Sequence, residues 1–175
     1  MPHSTNVATS GADTLKGGSR PDLIDGGDGA DHVAGAGGGD SLVGGAGNDT
    51  ITGGRGGDLL TGGAGADTFL VSGHVTDSAA SVDRITDFTH GDDTLGFGRQ
   101  ASLAGHDMAT GSATSYADAF NQAKAQISSG AADIVAMQVG GDLVVFADSY
   151  QHDHLDGAVV LVGKTLADFS HWDVF

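Results

Sequence analysis

Aspartate recurs at every ninth residue between residues 8 and 70 and could supply a regular row of carboxylate ligands. The row comprises Asp13, Asp22, Asp31, Asp40, Asp49, Asp58 and Asp67. An aspartate side chain is short and holds its oxygens close to the backbone. All 23 acidic residues of the chain are aspartates, and glutamate is absent. This bias indicates acids placed for coordination rather than for general solvation.

The aspartates belong to a nine-residue repeat that runs without insertion from residue 8 to residue 70. The second residue after each aspartate is apolar: Leu15, Ile24, Val33, Leu42, Ile51, Leu60 and Phe69. Glycines precede the aspartate, as in GGAGNDTIT at 44–52, and they permit the positive φ angles of tight turns. A disordered glycine-rich linker is the alternative, but a linker has no reason to keep this apolar residue. We predict units of a six-residue turn followed by a three-residue strand.

This pattern, GGxGxDxUx, resembles the calcium-binding nonapeptide of RTX proteins. The resemblance implies an all-β fold, a parallel β-roll in which two units form one coil. Successive coils would stack about 4.8 Å apart. The expected organisation is a disordered segment at 1–7, the roll at 8–70, and a capping and secretion region at 71–175. That last region is expected to be β-rich with one helix.

Stacked coils would place Asp13, Asp31, Asp49 and Asp67 in one row and Asp22, Asp40 and Asp58 in another. Like charges at this spacing repel by about 1 kcal/mol per pair in water, and by more in a drier site. The resemblance implies that Ca²⁺, about five or six ions, binds between coils to the aspartates and to loop carbonyl groups. The implied loop residues are Gly27, Gly29, Gly38, Gly45, Gly47, Gly54, Gly56, Gly63 and Gly65. Ser10, Arg20 and Ala36 depart from the pattern, so the first coil is expected to be a cap with weak or absent ions.

The segment after the repeats resembles the one that follows the roll in serralysin-type metalloproteases. The matching features are Asp77-Ser78, Asp83-Arg84-Ile85-Thr86-Asp87-Phe88 and Gly91-Asp92-Asp93. The resemblance implies that Asp77 and Asp83 complete a further site with the loop of Asp58. The alternative is that both acids lie in surface turns. Asp87, Asp92 and Asp93 are predicted to be turn residues.

The rest of the chain reads as one helix and several strands. A helix is predicted over 115–129, with Ser115 as its N-cap and Gly130 ending it. A β-hairpin with a Gly140-Gly141 turn and a strand over 157–163 follow. His152, Asp153 and His154 could attract a transition metal, although a surface turn is the simpler interpretation.

Charge and motifs exclude several classes of function. The net charge of −16 makes nucleic acid and anionic membranes unsuitable partners, and no apolar run is long enough to insert into a membrane. The chain lacks cysteine and the glutamate that a serralysin-type protease requires as general base. Neither a GxSxG nucleophile motif nor a complete phosphate-binding loop is present. We therefore expect no enzymatic activity.

The function expected from the resemblance is a calcium-binding module of a larger or companion protein, secreted or held at a bacterial cell surface. It would fold outside the cell and carry a C-terminal signal for a type I exporter. Asp173-Val174-Phe175 resembles the end of proteins exported in this way, and 1–13 does not read as a secretory signal peptide. We expect a monomer. The alternative is a surface-binding β-solenoid, such as an adhesin or a surface-layer or carbohydrate-associated module.

Overall fold

The computed structural model describes residues 5–71, 78–97, 107–148, 155 and 157–175. Eight strands occupy the repeat region: β1 Thr5–Val7, β2 Thr14–Lys16, β3 Leu23–Asp28, β4 His32–Gly37, β5 Ser41–Ala46, β6 Thr50–Arg55, β7 Leu59–Ala64 and β8 Thr68–Val71. Odd-numbered strands enter one sheet and even-numbered strands enter another. All pairs within the repeats are parallel. The chain therefore winds between two facing sheets, and the predicted parallel β-roll is confirmed.

The register of the strands follows from the repeat. Ile24 pairs with Leu42 and Leu42 with Leu60 in one sheet, while Val33 pairs with Ile51 in the other. All of these side chains are buried between the two sheets. A single apolar residue per unit is thus enough to build a continuous core, because each one stacks on its counterpart in the next coil.

Two local features differ from the sequence-based expectation. Strands β3 to β7 have six residues rather than three. They extend into the glycines because glycine backbones of adjacent coils also pair, as Gly27 does with Gly45. In addition, Thr5–Val7 pairs with β3 as a strand, so the disordered segment expected over 1–7 is wrong for residues 5–7.

The elements after the repeats are β9 Asp83–Ile85, β10 Thr94–Phe97, β11 Met108–Ala113, α1 Tyr116–Ser128, β12 Ile134–Val139, β13 Asp142–Ala147 and β14 Gly157–Leu161, with short 3-10 helices at Ala79–Ser81, Leu166–Asp168 and His171–Asp173. Strand β9 pairs with β7 on one side and with β14 on the other. The first sheet consequently runs in the order β1-β3-β5-β7-β9-β14-β13-β12-β11, and the second in the order β10-β8-β6-β4-β2. One sheet is therefore shared by the repeats and the region that follows them, while the division at residue 70 stays a prediction.

The predicted helix and hairpin are present. The Ser115 hydroxyl accepts a hydrogen bond from the backbone N–H of Asp118, as expected for an N-cap. Helix α1 connects the parallel strands β11 and β12, and β12 pairs with β13 in the predicted antiparallel hairpin. Ala119, Ala123 and Ile127 of helix α1 pack against Val135 and Phe146 of the sheet.

The opposite face of the sheet continues the core of the roll. Phe69, at the end of the roll, packs near Phe88, and Phe88 near Phe169, with ring centroids 6.4 and 6.2 Å apart. The chain after β14 therefore closes this end of the roll with apolar side chains. No helix among the described residues is long and apolar enough to span a membrane.

Candidate calcium sites

Each repeat aspartate is bound to the aspartate one coil further along. The backbone N–H of Asp31 donates to Oδ1 of Asp49 at 2.8 Å, and that of Asp49 donates to Oδ1 of Asp67 at 2.9 Å. The same bond joins Asp13 to Asp31, Asp22 to Asp40 and Asp40 to Asp58, at 2.7 to 2.8 Å. The predicted rows of stacked carboxylates are therefore present, one row along each line of turns.

The second carboxylate oxygen of five repeat aspartates is buried without a hydrogen-bond partner. These atoms are Oδ2 of Asp31, Asp40, Asp49, Asp58 and Asp67. A buried polar atom that makes no hydrogen bond costs about 1 to 3 kcal/mol, and more if it is charged. Five equivalent positions of this kind indicate a ligand that the polypeptide does not supply.

The space around these oxygens suits a hard cation. A Cβ atom placed on Gly26 would lie 2.7 Å from Oδ2 of Asp31, and one on Gly44 would lie 2.7 Å from the carbonyl oxygen of Gly62. The space beside the first glycine of a unit is thus lined by the carboxylate of its own unit and a carbonyl of the next coil. Ca²⁺ prefers oxygen ligands of these two kinds. The residues present therefore fit a calcium ion.

Sequence reasoning missed the first glycine of each unit. It is glycine in six of the seven units: Gly17, Gly26, Gly35, Gly44, Gly53 and Gly62. The sequence does contain a signal for this glycine, because it recurs every nine residues as regularly as the glycines that were predicted to be ligands. The steric reason why only glycine fits there involves atoms of the neighbouring coil, so it cannot be inferred from the sequence of one unit.

The glycines predicted as loop ligands determine the backbone path of the turns. All nine have positive φ, between 85° at Gly27 and 146° at Gly38. Ala36 occupies the place of such a glycine and also has a positive φ, 76°. This departure from the pattern therefore leaves the turn intact. The role of these residues as carbonyl ligands stays a prediction.

The first coil differs from the others in the hydrogen bonds of its aspartates. Oδ2 of Asp13 accepts hydrogen bonds from the backbone N–H and the hydroxyl of Thr9, at 2.9 and 2.7 Å. Oδ2 of Asp22 accepts one from the N–H of Gly18 at 2.6 Å. These oxygens already accept hydrogen bonds, so binding a cation there would stabilise the fold less.

Both rows of carboxylates continue beyond the repeats. Asp58 donates its N–H to Oδ1 of Asp83 at 3.0 Å, and Asp67 donates to Oδ1 of Asp93 at 2.9 Å. The predicted association of Asp83 with the loop of Asp58 therefore has a structural counterpart. Asp77, its predicted companion, lies outside the described residues, as do His152, Asp153 and His154.

Asp93 closes the turn that begins at Thr89, and it also lies at the end of a row of aspartates. Its side chain is buried at the end of the row, where Oδ2 accepts a hydrogen bond from the N–H of Thr89 at 2.8 Å. The change in residue spacing hid this position, although Asp93-Thr94-Leu95 repeats the order of Asp67-Thr68-Phe69. Asp87 has a different role, since its carboxylate accepts from the N–H groups of Gly62 and Gly63 at 2.9 and 2.8 Å. It thereby satisfies backbone donors at the last turn of the roll.

Burial makes these carboxylates weaker acids than exposed ones. It raises the pKa of Asp40, Asp49, Asp58 and Asp93 above the usual range. Burial, together with the neighbouring carboxylates, raises the pKa of Asp67 to about 6 and that of Asp83 to about 7. Asp13 is the contrasting case, because the hydrogen bonds from Thr9 lower its pKa. The interior of the rows therefore disfavours negative charge unless a cation is present.

Side chains alone do not form a complete cage. No group of three or more histidine, cysteine or acidic side chains is placed to hold a metal ion in the part of the chain that the structure describes. Backbone carbonyl groups from the turns would have to complete the coordination, as hard cations allow.

Comparison with protein-family models finds the RTX calcium-binding nonapeptide repeat at residues 7–42 and 34–69. Residues 7–69 are RTX repeats. This RTX region is the parallel roll with its two rows of aspartates, so the chain carries an RTX calcium-binding β-roll. A search of curated proteins found no match.

A solved structure resembles the chain over nearly its whole length. The AlgE6R2 subunit of the mannuronan C5-epimerase from Azotobacter vinelandii is 26% identical, with 98% of this chain and 92% of that one covered and a TM-score of 0.50. The extracellular lipase LipA from Serratia marcescens is 17% identical, with 99% of this chain and 40% of that one covered and a TM-score of 0.37. The likeness to AlgE6R2 thus extends past the RTX repeats into the region that follows them.

The first glycine of a unit can be tested with Gly44→Ala. The added methyl group would meet Oδ2 of Asp49 and the carbonyl oxygen of Gly62, where the cation is expected. We expect the calcium concentration at the folding midpoint, followed by circular dichroism, to rise roughly tenfold. Gly141→Ala is the control, because no atom lies within 4 Å of that Cβ position. Equal midpoints for the two variants would contradict the assignment.

The raised pKa values predict how calcium binding depends on pH. Because the folded-state pKa values of Asp67 and Asp83 lie above the ordinary value of 3.8, the metal-free fold loses stability as the pH rises from about 4 to about 7. Calcium requires the ionised carboxylates, so its binding releases protons and weakens as the pH falls through this window. We expect a higher calcium midpoint at pH 6 than at pH 8. An unchanged midpoint would count against buried carboxylate ligands.

Proposed function

We propose that this chain is a calcium-responsive module that is exported unfolded and folds outside the cell on binding Ca²⁺. One observation carries the proposal, namely the five buried carboxylate oxygens that have no hydrogen-bond donor. Each of them is stabilised if a cation binds beside it and each is costly if none does. Folding and calcium binding are therefore one equilibrium.

The composition of the roll supports this dependence on calcium. Six of the seven units contribute one buried apolar side chain each, and the glycines lose more backbone entropy on folding than other residues. Mutual repulsion of the aspartates opposes folding as well. Without cations, the small apolar core does not offset the entropy loss and the repulsion, so we expect the roll to be unfolded.

We propose one calcium ion for each of the five oxygens, held by Asp31, Asp40, Asp49, Asp58 and Asp67 together with carbonyls of the adjoining turns. Asp83 would supply the second carboxylate to the last position in its row. Both oxygens of Asp93, by contrast, already accept hydrogen bonds, from the N–H groups of Asp67 and Thr89. When bound, calcium supplies positive charge that allows these residues to stay ionised in a buried place. Asp13 and Asp22 would contribute least, because Thr9 and Gly18 already donate to them.

A secreted or cell-surface location suits these properties. Extracellular calcium-binding modules have dissociation constants of about 10⁻⁴ to 10⁻³ M. We propose that a type I exporter is a transient partner and recognises the segment containing Asp173-Val174-Phe175. The resemblance to AlgE6R2, a subunit of an epimerase, supports a module that serves a larger or companion protein. We propose that the module is monomeric and has no catalytic activity of its own.

Calcium titration tests the folding proposal. In chelator we expect residues 8–70 to give no β signal in circular dichroism, and millimolar calcium to restore it cooperatively. Asp49→Asn removes an oxygen without a donor and should raise the midpoint roughly tenfold. Asp13→Asn is the matched variant and should change it less than about twofold, because that oxygen is bound to Thr9. A chain that is folded in chelator and indifferent to calcium would refute the proposal.

Secretion of the full chain tests the export proposal. In cells that carry a type I exporter, we expect the chain to reach the medium and deletion from His171 onward to reduce its secretion. Removal of residues 1–4 is the control and should leave secretion unchanged. If the deleted chain is secreted as well as the intact one, the signal does not lie in this segment.

A further inference from the structure

The turn at 62–66 precedes Asp67, the last repeat aspartate, and no further repeat follows it. At the preceding turn of the same row, the N–H of Gly47 donates to the carbonyl oxygen of Ala64 in the next coil, at 2.7 Å. The last turn has no next coil of this kind. Its N–H groups therefore need acceptors from another part of the chain.

Asp87, which lies two residues after β9, supplies two of these acceptors. Its Oδ1 accepts a hydrogen bond from the N–H of Gly62 at 2.9 Å, and its Oδ2 accepts one from the N–H of Gly63 at 2.8 Å. Both bonds are made to a carboxylate, and such charge-assisted bonds are stronger than neutral ones. A side chain outside the repeats thus takes the place of a missing coil.

The bond to Gly63 also determines the direction of a carbonyl group. The N–H of Gly63 and the C=O of Gly62 belong to the same peptide unit, and in a planar trans peptide these two groups point in opposite directions. The carbonyl oxygen of Gly62 lies 2.7 Å from a Cβ placed on Gly44, in the space that Oδ2 of Asp49 also lines. Asp87 therefore holds the far side of the peptide whose oxygen faces that space.

This arrangement improves the Gly62 carbonyl as a ligand in two ways. Its direction is fixed, and a negative charge beside the N–H polarises the peptide toward its oxygen. Calcium accepts backbone carbonyl oxygens as ligands. Groups that orient a ligand without touching the metal commonly change metal affinity by about 10- to 100-fold.

The other end of the last turn is held independently of Asp87. Oδ1 of Asn48 accepts a hydrogen bond from the N–H of Ala66 at 3.0 Å, and Oδ1 of Asp93 accepts one from the N–H of Asp67 at 2.9 Å. Removal of the Asp87 carboxylate therefore releases the start of the turn and leaves its end in place.

We infer that Asp87 is a positioning residue for the calcium ion proposed at Asp49, an inference that rests on the function proposed above. Asp87 orients the Gly62 carbonyl toward the ion and does not itself bind it. An acid that lies after the repeats thereby sets the affinity of a site within them.

Calcium titration of the full chain tests the contribution of Asp87. Asp87→Ala removes both acceptors, and we expect the calcium midpoint, followed by circular dichroism, to rise about tenfold. Asp87→Asn keeps one acceptor oxygen and should lie between Asp87→Ala and the wild type. Asp92→Ala is the control, because it removes an exposed carboxylate from the neighbouring turn. Equal midpoints for Asp87→Ala and Asp92→Ala overturn the inference.

Double-mutant cycles distinguish positioning from a general loss of stability. Asp87→Ala is combined with Asp49→Asn and, separately, with Asp40→Asn, since the space beside Asp40 is lined by the carbonyl of Gly53 instead. We expect Asp87→Ala to raise the midpoint less than about twofold in the Asp49→Asn chain and about tenfold in the Asp40→Asn chain. Equal effects in the two chains mean a structural role only and overturn the inference. If Asp87→Ala does not fold at any calcium concentration, Asp87→Asn takes its place in both cycles under the same criterion.

The wild type separates failure of this inference from failure of the proposed function. A wild-type chain that is folded in chelator and indifferent to calcium refutes both. A wild type that folds on calcium, together with equal effects in the two cycles, refutes the role of Asp87 and leaves the calcium-dependent module intact.

Discussion

A buried carboxylate oxygen without a hydrogen-bond donor is the constraint on which the roll depends. In five successive units, one oxygen of the aspartate is used by the backbone of the preceding coil and the other has no donor. The same aspartate thus joins coils through its first oxygen, and we propose that it binds a cation through its second. Stacking and the proposed calcium binding cannot be separated in this arrangement, because one side chain would serve both.

The fold of the repeats could be predicted because a fixed period assigns every residue its place. Once nine residues form a unit and two units form a coil, the pairing of Leu42 with Leu60 and the stacking of Asp31 on Asp49 follow. The helix was equally accessible, since Ser115 and Gly130 mark its ends locally. These features depend on short stretches of sequence or on strict repetition, and both are visible in the chain itself.

Features that depend on distant contacts could not be predicted. The residues near Asp83 give no indication that β9 pairs with β14. This pairing joins the two parts of the chain in one sheet. Asp93 was missed because its distance along the sequence from Asp67 breaks the period. The first glycines were missed because their neighbours lie in another coil. In each case the deciding atom belongs to a residue far away in the sequence.

The rows of aspartates keep their geometry where the period fails. Successive partners are 18 residues apart within the repeats, 25 apart between Asp58 and Asp83, and 26 apart between Asp67 and Asp93. The bond lengths in these places remain alike, at 2.8, 3.0 and 2.9 Å. The hydrogen bond between successive aspartates is therefore kept across the longer connections, although β9 pairs with β7 at only two positions. The connection between β8 and β9 is therefore the place where we expect the roll to accept foreign sequence, such as a grafted epitope or binding loop.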